Sequence, residues 1–188
     1  EKFGVATVTR EEIICEIRRQ MRDEQGKLRT EDELLAELAW QRKQGHSIVF
    51  TNGCFDVIHR GHIEYLQFCK TQGDIVVLGL NSDASVKMIK GPERPINNQD
   101  DRAAVLSALD CVDYITVFSK PDPLSLIQAI CPDVLIKGED WKDKGVVGAD
   151  FVEKQGGKVV LARLVQGKSS TSTIEKMKSI ANEPTGNN

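Results

Sequence analysis

From residue 48 onward, five short runs rich in β-branched residues recur, each set apart from the next by a helical stretch. The runs are Ile48–Thr51, Ile75–Leu80, Tyr114–Phe118, Val134–Ile136 and Val159–Ala162. Helical patterns fall between and after them, at about 61–72, 100–109, 123–130, 147–156 and 172–181. Strands that alternate with helices predict a parallel sheet joined by right-handed crossovers. The runs are apolar almost end to end, which fits a sheet covered on both faces. The expected fold is therefore α/β: a Rossmann-like, five-stranded parallel sheet with helices on both faces.

The first 44 residues follow another pattern. Thr9-Arg10-Glu11-Glu12 reads as a capping box, and Ile13, Ile14, Ile17 and Met21 follow at helical spacing. Polar residues around Gly26 interrupt that helix. A second capping box, Thr30-Glu31-Asp32-Glu33, leads into an apolar stripe of Leu34, Leu35, Leu38 and Ala39, with Gly45 as the stop. The expected organisation is a helical lead-in over 1–44, the main domain over 45–182 and a frayed Pro/Gly/Asn tail over 183–188.

Composition narrows the function. The chain has 188 residues, 40% hydrophobic and 28% charged, with a formal net charge of -3. Acids and bases are mixed, and no basic stripe of the kind that neutralises a phosphate backbone is present, so nucleic acid is not the expected partner. No apolar run approaches the roughly 20 residues that span a bilayer. No signal peptide is visible, and the expected compartment is the cytoplasm. The five cysteines, Cys15, Cys54, Cys69, Cys111 and Cys131, form no CxxC pair, so neither a zinc site nor a dithiol motif is expected. The chain opens on Glu1 rather than Met, which points to a processed chain or a piece of a longer one.

In an open parallel sheet, ligands bind beyond the carboxyl ends of the strands. The loops there run 52–61, 81–95 and 137–145. The first carries the most chemistry: Thr51-Asn52-Gly53-Cys54-Phe55-Asp56-Val57-Ile58-His59-Arg60-Gly61-His62. Gly53 and Gly61 allow a ligand close to the backbone. A helix beginning near Gly61 offers free N–H groups and the positive end of its dipole to a phosphate. His59 and His62, three apart, can then face that same phosphate and donate to oxygens whose charge grows as phosphorus is attacked. A single histidine is more often a satisfied structural residue. Two of the chain's three histidines bracketing a glycine at a strand-to-helix turn favour function. Cys54 reads as a small residue there, not as a nucleophile. No GxGxxG follows the first strand, which weighs against a dinucleotide oxidoreductase.

This stretch resembles the signature of the cytidylyltransferase-like family of nucleotidyltransferases. Further segments resemble the same family in the same order: Asn81-Ser82-Asp83, then Lys87 and Lys90 in a loop running to Gly91-Pro92-Glu93-Arg94-Pro95, then Arg102 before a helix. Lys137-Gly138-Glu139-Asp140-Trp141 and Gly167-Lys168-Ser169-Ser170-Thr171-Ser172-Thr173 complete the series. Within the family, the likeness is to the heptose-phosphate adenylyltransferase branch, whose members are one half of a bifunctional kinase and adenylyltransferase. The segment from Phe3 to Thr9 is similar to the end of the sugar-kinase half. The resemblance thus implies a covalently linked kinase domain and, from family habit, a homodimer.

The resemblance also implies roles. His59 and His62 would stabilise the α-phosphate in transit. Lys90, or Lys87 as second choice, would neutralise the transferring or leaving phosphates. Asn52, Gly53, Cys54, Phe55, Gly61 and His62 would cradle the nucleotide phosphates, with Gly138, Asp140 and Trp141 near ribose and base. Ser169, Ser170 and Thr171 would hold the β- and γ-phosphates; a shift of one residue would use Ser170, Thr171 and Ser172 instead. Asp56, Asp83, Lys87 and Arg102 would form the acceptor side, with Arg102 on the acceptor phosphate. No protein metal site is implied; Mg²⁺ would arrive with ATP. The implied reaction is transfer of AMP from ATP to a sugar 1-phosphate, D-glycero-β-D-manno-heptose 1-phosphate in that branch. Two other readings stay open: a CTP-dependent enzyme acting on glycerol phosphate or an amino-alcohol phosphate, and a nucleotide-binding module without activity.

Overall fold

The computed structural model describes residues 8–10, 13, 16–17, 26–120, 122–163, 165, 167 and 169–181. Most of the expected first helix, most of the segment from Phe3 to Thr9, Lys168 and the tail from Glu183 lie outside the described residues.

Helix α1 (Glu31–Lys43) starts as its capping box requires. The Thr30 hydroxyl accepts from Glu33 N, and the Glu33 carboxylate accepts from Thr30 N at 2.8 Å. Acids fill its first turn and Arg42 and Lys43 its last, as the helix dipole favours. Its apolar stripe buries Leu34 and Leu38 completely, against Ile48, Phe50, Tyr114 and Ile127. Full burial of each leucine is worth about 1.5–3 kcal/mol. The helix is thus part of the main core, and the boundary expected at residue 44 runs through one packed unit.

The sheet has five parallel strands: β1 (Ile48–Gly53), β2 (Ile75–Asn81), β3 (Tyr114–Phe118), β4 (Val134–Gly138) and β5 (Lys158–Ala162). Their order is β3-β2-β1-β4-β5. The chain moves outward from β1 to β3, then returns to the other side of β1 to lay down β4 and β5. The reversal lies between β1 and β4, where a doubly wound sheet binds its ligand. Helices α2 (Arg60–Lys70) and α4 (Gln99–Ser107) cover one face, burying Leu66, Cys69, Ala103 and Leu106. Helices α1, α5 (Leu124–Ile130) and α6 (Ala149–Lys154) cover the other. A last helix, α7 (Ser170–Ala181), closes the described chain. No helix among the described residues is long and apolar enough to cross a membrane.

One stretch departs from expectation. The segment read as a loop from residue 81 to 95 contains helix α3 (Asp83–Lys90). Ser82 is its N-cap, accepting from Ser85 N, and Gly91 at φ +98° ends it. Only Ser85 and Val86 of this helix are buried, so the apolar period is too short to stand out in the sequence.

Candidate active site

The turn from β1 into α2 is held in an uncommon shape. Phe55 sits at φ +45°, a left-handed conformation that costs a bulky residue energy and persists only where surroundings enforce it. A Cβ on Gly53 would stand 2.8 Å from the Phe55 ring, so the tight fold-back needs glycine at 53. The Phe55 ring in turn packs against His62, with centroids 5.1 Å apart and planes tilted 54°. His59 is the N-cap of α2 but makes no side-chain cap hydrogen bond, and the first turn holds no acid. The first-turn amides lack a capping side chain, which leaves the dipole's positive end available to an anion.

His59 and His62 stack, with ring centroids 3.9 Å apart and an interplanar angle of 17°. Burial, reinforced by the neighbouring His59, brings the His62 pKa down from 6.5 to about 4. Its imidazole is therefore neutral at pH 7, with one N–H to donate. Its Nδ1 is buried and has no hydrogen-bond partner among the described residues.

The cleft exists because β1 and β4 part company. They pair only at Val49–Val134 and Phe50–Leu135. Beyond that point side chains bridge the gap. Tyr65 donates to the Ile136 carbonyl at 3.1 Å and accepts from Thr51 Oγ1 at 2.6 Å. Lys137, only 6% exposed, donates from Nζ to the Asn52 carbonyl at 3.1 Å, and its ammonium lies 5.2 Å from the centre of the Trp141 ring. Burial lowers the Lys137 pKa to about 8, against the pull of Asp140. The sequence pattern assigns a role to neither Tyr65 nor Lys137. A lysine closing an otherwise apolar strand, just before Gly138, is the one signal it offers.

The cleft has two adjoining lobes, of about 210 and 480 Å³, which share Asn52–Phe55, both histidines, Lys137, Asp140 and Trp141. The smaller lobe adds Gly61, Tyr65, Gly138 and Val165. The larger adds Asp56, Asn81, Lys90, Arg94, Asp122 and the Ser169–Thr171 hydroxyls. Ser170 Oγ donates to the Val57 carbonyl at 3.0 Å, docking the start of α7 against the β1–α2 turn. Ser169 caps that helix, accepting from Ser172 N at 3.0 Å. Ser172 and Thr173 turn their hydroxyls back to the Ser169 carbonyl, so the ungapped register, Ser169 to Thr171, is the one on the cleft. Cys54 also lines it; burial raises its thiol pKa despite three nearby cations, consistent with a residue present for its size.

The four residues expected on the acceptor side are placed differently. Arg102 lies on the inner face of α4, its side chain 1% exposed, and all its bonds are internal. It donates from Nε to the Asn97 carbonyl, from Nη1 to the Cys54 carbonyl at 2.5 Å and from Nη2 to Asp83 Oδ1 at 2.8 Å. Asp83 is thereby engaged too, and Lys87 points from the exposed side of α3; none of the three lines the cleft. Asp56 reaches the cleft wall, but its carboxylate is taken up by Ile96 N, Asn97 N and Arg94 Nε, the last at 2.6 Å. Burial alone would raise the Asp56 pKa, yet these bonds outweigh it and hold the carboxyl below its ordinary range.

A profile described as Cytidylyltransferase-like matches residues 50–175, which takes in β1 from Phe50, the other four strands and the whole cleft. The chain belongs to the cytidylyltransferase-like family of nucleotidyltransferases. It is 47% identical over 176 residues to Bifunctional protein HldE of Trichlorobacter lovleyi, a match covering 94% of this chain and 36% of that protein. It is 55% identical over 140 residues to Bifunctional protein HldE of Mesorhizobium japonicum, covering 74% of this chain and 28% of that one. The chain thus spans about a third of the length of these relatives. Among solved structures it is similar to a lipopolysaccharide core biosynthesis protein from Thermoplasma volcanium, with a TM-score of 0.53 and 27% identity over 66% of this chain and 100% of the other. Pantoate-beta-alanine ligase from Francisella tularensis shares the fold, with a TM-score of 0.56 and 17% identity over 81% of this chain and 77% of that one.

Proposed function

We propose that this chain transfers AMP from ATP to D-glycero-β-D-manno-heptose 1-phosphate, giving ADP-heptose and pyrophosphate. The observation that carries the proposal is the stacked His59–His62 pair at the uncapped start of α2, facing a cleft where β1 and β4 diverge. The relatives named HldE and the solved structure titled for lipopolysaccharide core biosynthesis support the heptose acceptor over the CTP-dependent alternatives. The matched third of the HldE chains supports a covalently linked sugar-kinase domain as the partner, and we extend the proposal to a cytoplasmic homodimer.

The acceptor phosphate is already an anion at pH 7, so it needs no general base. Its oxygen attacks the α-phosphorus, the bond to the bridging oxygen breaks, and pyrophosphate leaves with that electron pair. The chain supplies position and charge. His59 and His62 donate N–H groups to the α-phosphoryl oxygens. The α2 amides and Lys137 hold the nucleotide on the β4 side. The Ser169–Thr171 hydroxyls hold the β- and γ-phosphates.

Among the described residues no group of three or more His, Cys, Asp or Glu is arranged to hold a metal ion. The cleft's donors instead suit a triphosphate that brings its own Mg²⁺, which would screen charge on the phosphates when bound.

The test is pyrophosphate release from the purified chain with Mg²⁺, the heptose 1-phosphate and either ATP or CTP. Release with ATP supports the proposal. Release only with CTP, or only with another phosphorylated acceptor, overturns the substrates. Nucleotide binding without release in every combination overturns the activity.

A further inference from the structure

Strand order divides the cleft. The smaller lobe is lined from β1, β4 and the segment after β5. The larger lobe takes in the Ser169–Thr171 start of α7 and extends to the other side of β1, where Lys90 and Arg94 follow β2 and Asp122 follows β3. The histidines line both lobes and so mark the junction, where the transferred phosphorus must lie. In-line displacement brings the acceptor from the side opposite the leaving group. With base and ribose on the β4 side and the leaving phosphates at Ser169–Thr171, the acceptor occupies the β2–β3 end of the larger lobe.

An acceptor that carries a phosphate needs cations there, and Arg102 is unavailable, since all three of its nitrogens are bonded inside the protein. Arg94 is differently placed. It lines the larger lobe, its side chain is 12% exposed, and only its Nε is engaged, on Asp56. Asp56, 1% exposed, is itself fixed by the Ile96 and Asn97 amides. Nη1 and Nη2 make no hydrogen bond to any described residue. A guanidinium clamped by Nε presents those two nitrogens as a preset fork, the geometry that matches two oxygens of one phosphate.

We infer that Arg94, anchored by Asp56, binds the phosphate of the acceptor sugar 1-phosphate and orients its attacking oxygen. The inference rests on the adenylyl transfer proposed above. Arg94→Gln and Arg94→Lys are compared with the unaltered chain in steady-state pyrophosphate release, varying heptose 1-phosphate and ATP in turn. Expected is a rise of tenfold or more in acceptor KM with ATP KM changed less than about twofold, the cost of losing a charged hydrogen-bond pair. Arg94→Lys keeps a cation beside Asp56 and tests the fork itself should the glutamine variant fail to fold. An ammonium engaged on Asp56 cannot also grip two phosphate oxygens, so acceptor KM should still rise. An unchanged acceptor KM in a folded variant overturns the inference while leaving the activity standing. A rise confined to ATP KM overturns it too, by assigning Arg94 to the leaving phosphates. If the unaltered chain transfers to no phosphorylated acceptor, the proposed function falls and the inference with it.

Discussion

The imidazoles of His59 and His62 lie face to face at 3.9 Å, closer than His62 lies to the Phe55 ring that backs it. Two rings so close cannot readily both be cationic, and burial keeps His62 neutral. A neutral ring offers one N–H, enough to meet one phosphoryl oxygen without forming a salt that would bind the ground state as tightly as the transition state. His59→Ala and His62→Ala should each cut kcat for pyrophosphate release by a hundredfold or more, about 2.7–4 kcal/mol, the usual cost of a lost oxyanion donor. Unchanged turnover in either folded variant would remove the central claim.

The same burial has a stability consequence. The His62 pKa is about 4 in the folded chain and 6.5 when unperturbed. Between those values the unfolded chain binds more protons than the folded one, so stability falls as pH drops from 6.5 toward 4. Replacing His62 with Gln removes that contribution. Urea melts at pH 7 and pH 4.5 should show a smaller acid-induced loss in His62→Gln than in the unaltered chain; equal losses would contradict the His62 assignment.

Much of this site was legible in sequence because its signals are local. The HxGH stretch, the Thr30 capping box, the five strand runs and the last helix each declare themselves within a few neighbours. The pairings that decide which cation faces the cleft are not local. Arg94 and Arg102 stand eight positions apart in one polar segment, and nothing near either says which is consumed. Asp56 lies 38 residues from Arg94, and Cys54 lies 48 from Arg102, so the answer depends on how the β1–α2 turn packs against the entry to α4. Lys137 was hidden for a related reason: its burial comes from the divergence of β1 and β4, a property of two strands rather than of either sequence run.

Lys137 should set the alkaline limit of nucleotide capture. Its pKa of about 8 means that the ammonium beside Asn52 and Trp141 is lost as pH rises through 8. The pH dependence of kcat/KM reports the free enzyme. For ATP it should fall above pH 8 with a slope approaching tenfold per unit. A Lys137→Arg variant keeps its charge at that position and should carry the plateau to higher pH, while Lys137→Met should be low throughout. A flat profile to about pH 9.5 in the unaltered chain would exclude a charged Lys137 from nucleotide binding.

Asp56 and Arg102 invite the opposite expectation from Arg94: their replacement should act first on the fold. Asp56→Asn leaves the Arg94 guanidinium without its anion and turns an acceptor of two backbone N–H bonds into a group that also donates. Breaking a buried ion pair costs about 3–5 kcal/mol, and the partial exposure of Arg94 places this one near the lower end. Arg102→Met removes three hydrogen bonds, to the carbonyls of Asn97 and Cys54 and to the Asp83 carboxylate, at about 0.5–1.5 kcal/mol for each. Both variants should therefore unfold at lower urea concentration than the unaltered chain. Their kinetics should differ, because Asp56→Asn releases the fork that holds the acceptor whereas Arg102→Met only loosens the frame behind it. Acceptor KM should rise selectively in Asp56→Asn, and any loss in Arg102→Met should fall on the KM values of both substrates alike. A selective rise in acceptor KM for Arg102→Met, with stability intact, would return the acceptor phosphate to Arg102.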